Sequence, residues 1–542
     1  MLSYFKSGPA LTLATAVLLI TAACDNKAKE EPKAASYKVE TFVPGSPFHG
    51  LHGMTFGPDG TLYVGSVVGQ AIYTVDTESG EVAEFIGPVE GQADDLEFNA
   101  SGGLAWTAIG QGKVYYQTAS GERRVIAEGL PGANSIAFNA EGRLFVTTVF
   151  MADALYEVHL SGKTPPRQIM EGMGGLNGFD FGPDGKLYGP IWFKGQIARV
   201  DVDAGTLEVI SEGMTVPAAV NFDSKGVLHA IDNETGEIFR VNIETGERTL
   251  LATAPTNLDN LAFDADDRLF VSNMSDAAIF EVNRETGELR TVVSGPLTVP
   301  AGIAWNNGTL YVADTFNFSK VDTATGEVGD ISRLISDHEY PTGVTANDRR
   351  TIIASANSGL IQFYDPQTEK RTARWEGFVI PSGVVDLPTG EVAVLEGIGR
   401  ITLASGEHGQ TRKTLIEGLV DPAGLGWADG TFYVSEGAPG TVSKVDGTTG
   451  EKTLVADGLA GPEGIALTAD GDILVAEVGK DQLISIAPDG TISVIATDLK
   501  MGLVGYPPFP PSYIPSGVAI GGDGEIYVSS DVENSIYRIT KE

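Results

Sequence analysis

Six positions at near-equal spacing in the first half of the chain, five of them with side chains that could do chemistry, are His52, Asp94, Asn134, Asn177, Ala218 and Asp259, the last followed by Asn260. Ala218 is the exception that breaks an otherwise polar set. Each stands before a glycine or its equivalent at the head of a short apolar run, as in "GGLNGFDFGPDGKLYG" from Gly174. If they share one axis, two carboxylates, two or three amide oxygens and an imidazole suit a hard cation. Ca²⁺ takes roughly six to eight oxygens at about 2.3 to 2.6 Å. The set lacks the His/Cys clustering of a zinc site. Asn, Asp and Ser before glycine are also ordinary turn residues that bond their own backbone, so each residue taken singly carries either reading.

What brings such residues to one axis is a repeat. Equivalent positions continue at Ala301, Thr342, Ser382, Ala423, Glu463 and Ser516, a period of roughly 41 residues, which points to propellers, solenoids or arrays. Within a copy, "GFDF" and "KLYGP" are split by Pro183-Asp184-Gly185, and "QIARVDV" and "LEVIS" follow across an Ala-Gly break. Four short strands with no helical periodicity make a propeller blade, so the fold class is all-β. Twelve blades exceed the usual single ring, which predicts two tandem six-bladed β-propellers. The last copy stops after its third strand, "SIYRIT", while "YKVETFV" stands alone before the first copy. If each propeller opens on an outer strand, the cut falls at Arg284 to Glu288, giving propeller 1 over 37–286 and propeller 2 over 287–542.

The anchors of the two halves differ. In propeller 2 they sit in tripeptides such as Pro300-Ala301-Gly302 and Pro381-Ser382-Gly383, and five of the six are small. In propeller 1 five are polar. Phe150-Met151 and Trp192-Phe193 follow second strands of propeller 1, where other blades have Gly, Ser or Asn, and could rim a small-molecule pocket as readily as pack between blades. Asp314, Glu396, Glu436 and Glu477 end second strands of propeller 2 and, with Glu463, read either as turn caps or as an acidic mouth holding a second cation. "GYPPFPPSY" from Gly505 lengthens the last interblade connection and reads as a stiff cover over that mouth.

Around this repeat the chain looks exported. One early positive charge, Lys6, precedes an apolar run from Ala10 to Ile20, then Thr21, Ala22, Ala23 and Cys24, the sole cysteine. This resembles a bacterial lipobox, with Thr21 where Leu is commoner. Residues 1–24 then form a lipoprotein signal peptide whose Cys24 is lipidated, and 25–36 a flexible tether. The expected location is the periplasmic side of the inner or outer membrane, or the cell surface. No disulfide framework is available. The net charge of −36, without clustered Lys or Arg, argues against nucleic acid as a partner. Much of the acid sits in turn motifs such as "ETGE".

The pattern of Asn-Gly, a spaced apolar pair and "FGPDGxLY" resembles the superfamily of six-bladed calcium propellers that includes SMP-30/gluconolactonase, paraoxonase and diisopropylfluorophosphatase, and more loosely NHL repeats. The resemblance covers nearly all of the mature chain at fold level. "LDNLAF" at Asp259-Asn260 is similar to the Asp-Asn pair of paraoxonases, "LNG" at Asn177 to the Asn-Gly ligand of SMP-30, and "LHG" at His52 to a His-Gly of the paraoxonase channel. The resemblance implies a calcium site held by Asp94, Asn134, Asn177, Asp259 and Asn260. The order departs from the family at Ala218. It further implies a calcium-dependent hydrolase of lactones or related esters, with His52 or Asp94 as general base and Phe150, Met151, Trp192 and Phe193 as the substrate wall. No Gly-x-Ser-x-Gly elbow or catalytic cysteine supports a serine or thiol mechanism. The alternative is non-enzymatic: a lipid-anchored double propeller presenting its faces, propeller 2 above all, to a protein or a glycan.

Overall fold

The computed structural model describes residues 36–334, 338–505 and 514–542. Their strands form twelve four-stranded antiparallel sheets, the expected all-β fold. Burial falls from the inner strands of a blade to its outer strand. Leu62–Ser66, for example, is buried on both faces between neighbouring blades, while outer strands such as Val82–Ile86 are largely exposed. The turns follow from side-chain chemistry. Asp59 Oδ1 accepts the Thr61 N–H at 3.1 Å, and Gly60 takes the left-handed φ of 82° that this turn requires. Asp76, Asp201, Asp322 and Asp446 each accept two backbone N–H groups of the next turn. A share of the negative charge therefore caps turns.

Blades 1 to 6 span 54–86, 96–128, 133–171, 180–212, 217–253 and 258–293. The first strand of blade 1 lies against that of blade 6, and Ser272 Oγ of blade 6 donates to His52 O at 2.8 Å. A shared core of Leu62, Val64, Phe270 and Ile279 seals this junction. Blades 7 to 11 span 300–333, 343–375, 381–417, 422–456 and 462–497, and blade 12 begins at 518. Blade 12 closes on blade 7 in the same way, with Ser529 Oγ donating to Ala301 O at 2.6 Å. The chain forms two six-bladed rings.

The boundaries differ from those expected at 37–286 and 287–542. Tyr37–Val43 belongs to the second ring, where it pairs antiparallel with Ser535–Lys541 as the outer strand of blade 12. The outer strand Leu289–Val293 stays with blade 6. Ring 1 is a continuous 54–293, inserted between the first strand of ring 2 and the remainder of that ring. The physical reason is edge chemistry. Blade 12 gets three strands from the C-terminal segment and leaves one row of N–H and C=O groups open, whereas every blade of ring 1 is already complete. Val43 drops into the core formed by Ile303, Val312, Tyr527 and Ile536, and Glu40 Oε1 accepts from Arg538 Nε at 2.7 Å.

Tyr37–Glu542 make one compact unit. The rings meet through Met274 of ring 1, Val299, Ala301, Phe316 and Leu334 of ring 2, and Ile514. Asn534 Nδ2 donates to Ser46 O and Phe48 O, and His49 Nε2 lies 3.0 Å from Val532 O. Burial pushes the His49 pKa down to about 4, so it is a neutral ring in this contact. Among the described residues no helix is long and apolar enough to cross a membrane. Cys24, the tether and most of the Pro-rich insertion lie outside the described residues.

Candidate functional site

The anchors of ring 1 converge as their spacing predicts. His52, Asp94, Asn134, Asn177, Ala218 and Asp259 line one cavity of about 670 Å³. The residue at the head of each first strand, polar in five blades of six, is carried to the axis because those strands stand innermost in their sheets. His52 Nδ1 lies 3.7 Å from Asp94 Oδ1 and 3.8 Å from Asp259 Oδ2. These distances are too long for hydrogen bonds. Burial lowers the His52 pKa to about 4, so the ring is neutral at pH 7 and the contacts are not ion pairs.

The carboxylates are pushed the other way. Asp94 lies well above the usual carboxylate range, first through burial and then through Asp259 and Asp95. Asp259 rises to about 8 through burial and Asp95. No donor among the described residues hydrogen-bonds the carboxylate of either Asp94 or Asp259, and no Lys or Arg lines the cavity. Buried acid without donor or cation is costly unless it is protonated or a cation joins it.

The amides divide into two groups. Ser135 Oγ lies 2.8 Å from Asn134 Oδ1 and 2.9 Å from Asn177 Oδ1, and itself accepts the Gly178 N–H at 2.7 Å. The hydroxyl sits between both amide oxygens and donates its one proton to either of them, so each keeps a lone pair to spare. Asn260 lines the same cavity. Its Nδ2 donates to Asp95 Oδ1 at 3.2 Å and its Oδ1 accepts the Leu261 N–H at 2.7 Å, so both ends of the amide are engaged. An oxygen-only set of Asp94, Asp259, Asn134 and Asn177 fits a hard divalent cation. Among the described residues no three His, Cys, Asp or Glu side chains by themselves make a metal nest, so amide oxygens would have to complete it.

Sequence reasoning missed the second layer of the channel. Asp95 accepts the Leu96 and Ile136 N–H groups, and burial lifts it to about 7 despite them. Deeper still, Glu97 accepts the Phe138 N–H and Asp180 the Phe222 N–H, each tying one blade to the next. Burial and Asp180 push Glu97 well up, and burial raises Asp180 to about 6. The usable signal was the pair Asp94-Asp95 in "ADDLEF", parallel to Asp259-Asn260 in "LDNLAF".

The apolar wall is partly as expected. Phe150, Met151 and Trp192 line the cavity, with the Phe150 ring perpendicular to Trp192 at 5.5 Å. Phe193 does not line it. The short 3-10 turn Trp192–Lys194, tied down by Trp192 N to Gly175 O, turns Phe193 outward, 62% exposed, onto the outer side of Phe150. Val67, Val68, Ile109 and Met274 of ring 1 add to the wall, and ring 2 supplies Thr315, Phe316, Leu334, Tyr340, Asn357 and Ile380.

The acidic residues of ring 2 form no mouth. Asp314 accepts the Thr298 and Val299 N–H groups. Glu396 accepts from Val379 N–H, Arg400 and Thr402; Glu436 from Val420 N–H and Lys452; Glu477 from Ala460 N–H, Gln482 and Lys480. Glu463 accepts the Ser516 N–H. Each buried acid pins a different interblade connection, which removes the second cation site. The channel of ring 2 is narrow, a cavity of about 70 Å³ lined by close-packed glycines such as Gly343 and Gly464. A Cβ on Gly343 would lie 2.2 Å from Ser382 O, and one on Gly464 2.3 Å from Ser516 O.

Residues 185–316 match the family model described as SMP-30/Gluconolactonase/LRE-like region. No curated protein matches the sequence. Among solved structures, one described as a candidate gluconolactonase is 16% identical at a TM-score of 0.38, covering 49% of this chain and 94% of its own. The extracellular domain of a candidate hybrid two-component system from B. thetaiotaomicron is 12% identical at a TM-score of 0.32, covering 91% of this chain and 70% of its own.

Proposed function

We propose that the protein is a hydrolase of lactones or related esters, of the SMP-30/gluconolactonase type, acting with Ca²⁺ at the mouth of ring 1. The observation that carries this is the pair Asp94 and Asp259: two carboxylates in one cavity that, among the described residues, have neither a hydrogen-bond donor nor a Lys or Arg to balance them. With the Asn134 and Asn177 oxygens beside the Ser135 hydroxyl, they would hold the ion. Bound Ca²⁺ would polarise a carbonyl and offset the charge that collects on its oxygen.

The chain's own residues handle the proton. His52 is neutral and free to accept one, and Asp94 and Asp259 stabilise the imidazolium that results. A water oxygen attacks the carbonyl carbon as its proton passes to His52. The acyl–oxygen bond then breaks, and the departing alkoxide takes that proton, which leaves an acid and an alcohol, or one hydroxy acid from a lactone. Asp94 is the second candidate base. We further propose that Cys24 carries a lipid that holds the protein at a bacterial membrane, on the basis of its position after the apolar run.

Calcium titration calorimetry on the wild type beside Asn177→Ala and Asp94→Asn, with a lactone and ester panel, tests this. One tight site lost in both variants, with hydrolysis lost in parallel, is the expected result. Absence of calcium binding in the wild type would sink it and favour a binding scaffold.

A further inference from the structure

We propose that ring 2 is a working part of this site: Phe316, Leu334, Tyr340 and Ile380 roof the cavity above Asp94 and Asp259 and select a substrate with a hydrocarbon body over a polyhydroxylated one. The inference rests on the hydrolase reading for the reacting head of the substrate. The apolar body is argued separately from the roof.

The roof is built in place rather than left by chance. Asn257 of ring 1, in a left-handed conformation at φ 74°, donates from Nδ2 to Leu334 O at 2.7 Å. Leu334 N–H donates in turn to Phe316 O at 2.8 Å. Asn317 Nδ2 and Thr298 Oγ1 both donate to Ser275 O, and Arg333 pairs with Asp276 at 2.6 Å. The connection that leads into ring 1 makes room for the roof. At Gly50, φ 73°, a Cβ would lie 2.3 Å from the Phe316 ring.

Tyr340 and Ile380 stand directly before the Pro341 and Pro381 that open blades 8 and 9, at φ 46° and 51°. That conformation is uncommon for bulky residues. It recurs at Asp421 before Pro422, so the backbone shape belongs to the repeat. What is particular to blades 8 and 9 is that a large side chain occupies it and lines the cavity of the other ring. Burial, Glu339 and Asp259 together raise the Tyr340 phenol, which is consistent with its place beside the acidic floor.

All the carboxylates of the cavity come from ring 1, with Phe150, Met151, Trp192 and Met274 of the same ring beside them. Ring 2 adds the mainly apolar Phe316, Leu334, Tyr340 and Ile380 next to Thr315 and Asn357. A sugar lactone filling this volume would press hydroxyls against Phe316, Leu334 and Ile380, which cannot hydrogen-bond them. An alkyl or aryl substituent would meet matching surface, and each methylene drawn under the roof is expected to raise affinity about three- to fourfold.

The test has two arms on the whole protein, wild type beside Tyr340→Ala and Ile380→Asp, both partly exposed to the cavity, with circular dichroism to confirm folding. In the first arm, binding of the neutral fluorophore N-phenyl-1-naphthylamine is followed without turnover. In the second, kcat/KM is measured with calcium over lactones of increasing alkyl length and over gluconolactone. Expected are fluorophore binding weakened at least tenfold by Ile380→Asp, and kcat/KM that rises with chain length in the wild type and flattens in Tyr340→Ala. Fluorophore binding untouched by both variants, or gluconolactone preferred over every alkyl lactone, would overturn the inference. Chain-selective binding lost in the variants, with no lactone or ester turned over, would support the roof and remove the hydrolase reading.

Discussion

Replacing Val43 by Asp should open ring 2 and leave ring 1 intact. Val43 is 1% exposed, at the end of the only strand of blade 12 that comes from the start of the chain. It packs with Ile303 of blade 7 and Tyr527 and Ile536 of blade 12. Losing a buried valine gives up about 1.5–3 kcal/mol, and a carboxylate without a partner adds to that, so about 3 kcal/mol is a floor. That corresponds to about a hundredfold in an opening equilibrium. Native-state hydrogen exchange resolves where the loss falls. Amides of Ser535–Lys541 and of Pro300–Asn306 should exchange about a hundredfold faster, while those of 54–293 keep their protection. Equal acceleration in ring 1, or acceleration confined to ring 1, would refute the argument that the first strand closes the second ring.

Other outcomes follow from the same contacts. Glu396→Ala breaks a buried acid's bonds to Arg400, Thr402 and Val379 N–H and should cost about 3–5 kcal/mol in denaturant unfolding, with calcium affinity unchanged; a drop in affinity would restore the second cation site. Ser135→Ala frees the Asn134 and Asn177 amides and should weaken calcium binding about tenfold by calorimetry, the scale of one lost orienting hydrogen bond. Glu157 is held down to about 2 by hydrogen bonds from Arg143 and Arg167. Its folded value lies below the unfolded 4.5, so its contribution is present above pH 4.5 and is lost as pH falls toward 2. With Glu157 a quarter exposed, about 2 kcal/mol is expected, and Glu157→Gln should flatten the acid limb of a stability-versus-pH curve by that amount.

The sequence by itself determined the elements and the period. Strand alternation, Asx turns and glycines such as Gly60 are local, acting within a few residues, and the repeat of "FGPDG"-like turns makes them countable. The contrast between polar anchors in one ring and small anchors in the other was legible too, because every first strand reaches the axis in the same register. The partners of those anchors were not. Asn260 donates to Asp95 across 165 residues, a contact with no local signature. Glu396, Glu436 and Glu477 look like an acidic mouth in one dimension, yet in three each answers the N–H of its own connection.

Two decisions belonged to the tertiary structure alone. Tyr37–Val43 reads as an equally good strand for either ring, and pairing went to the one sheet edge that the remaining chain left open. The roof over ring 1 came from connections that begin blades 8 and 9, whose apolar side chains look like ordinary core until the two rings are docked. Periodicity specifies which face of a strand is buried. Which distant surface covers it depends on ring closure and on packing between rings, and neither has a local signature.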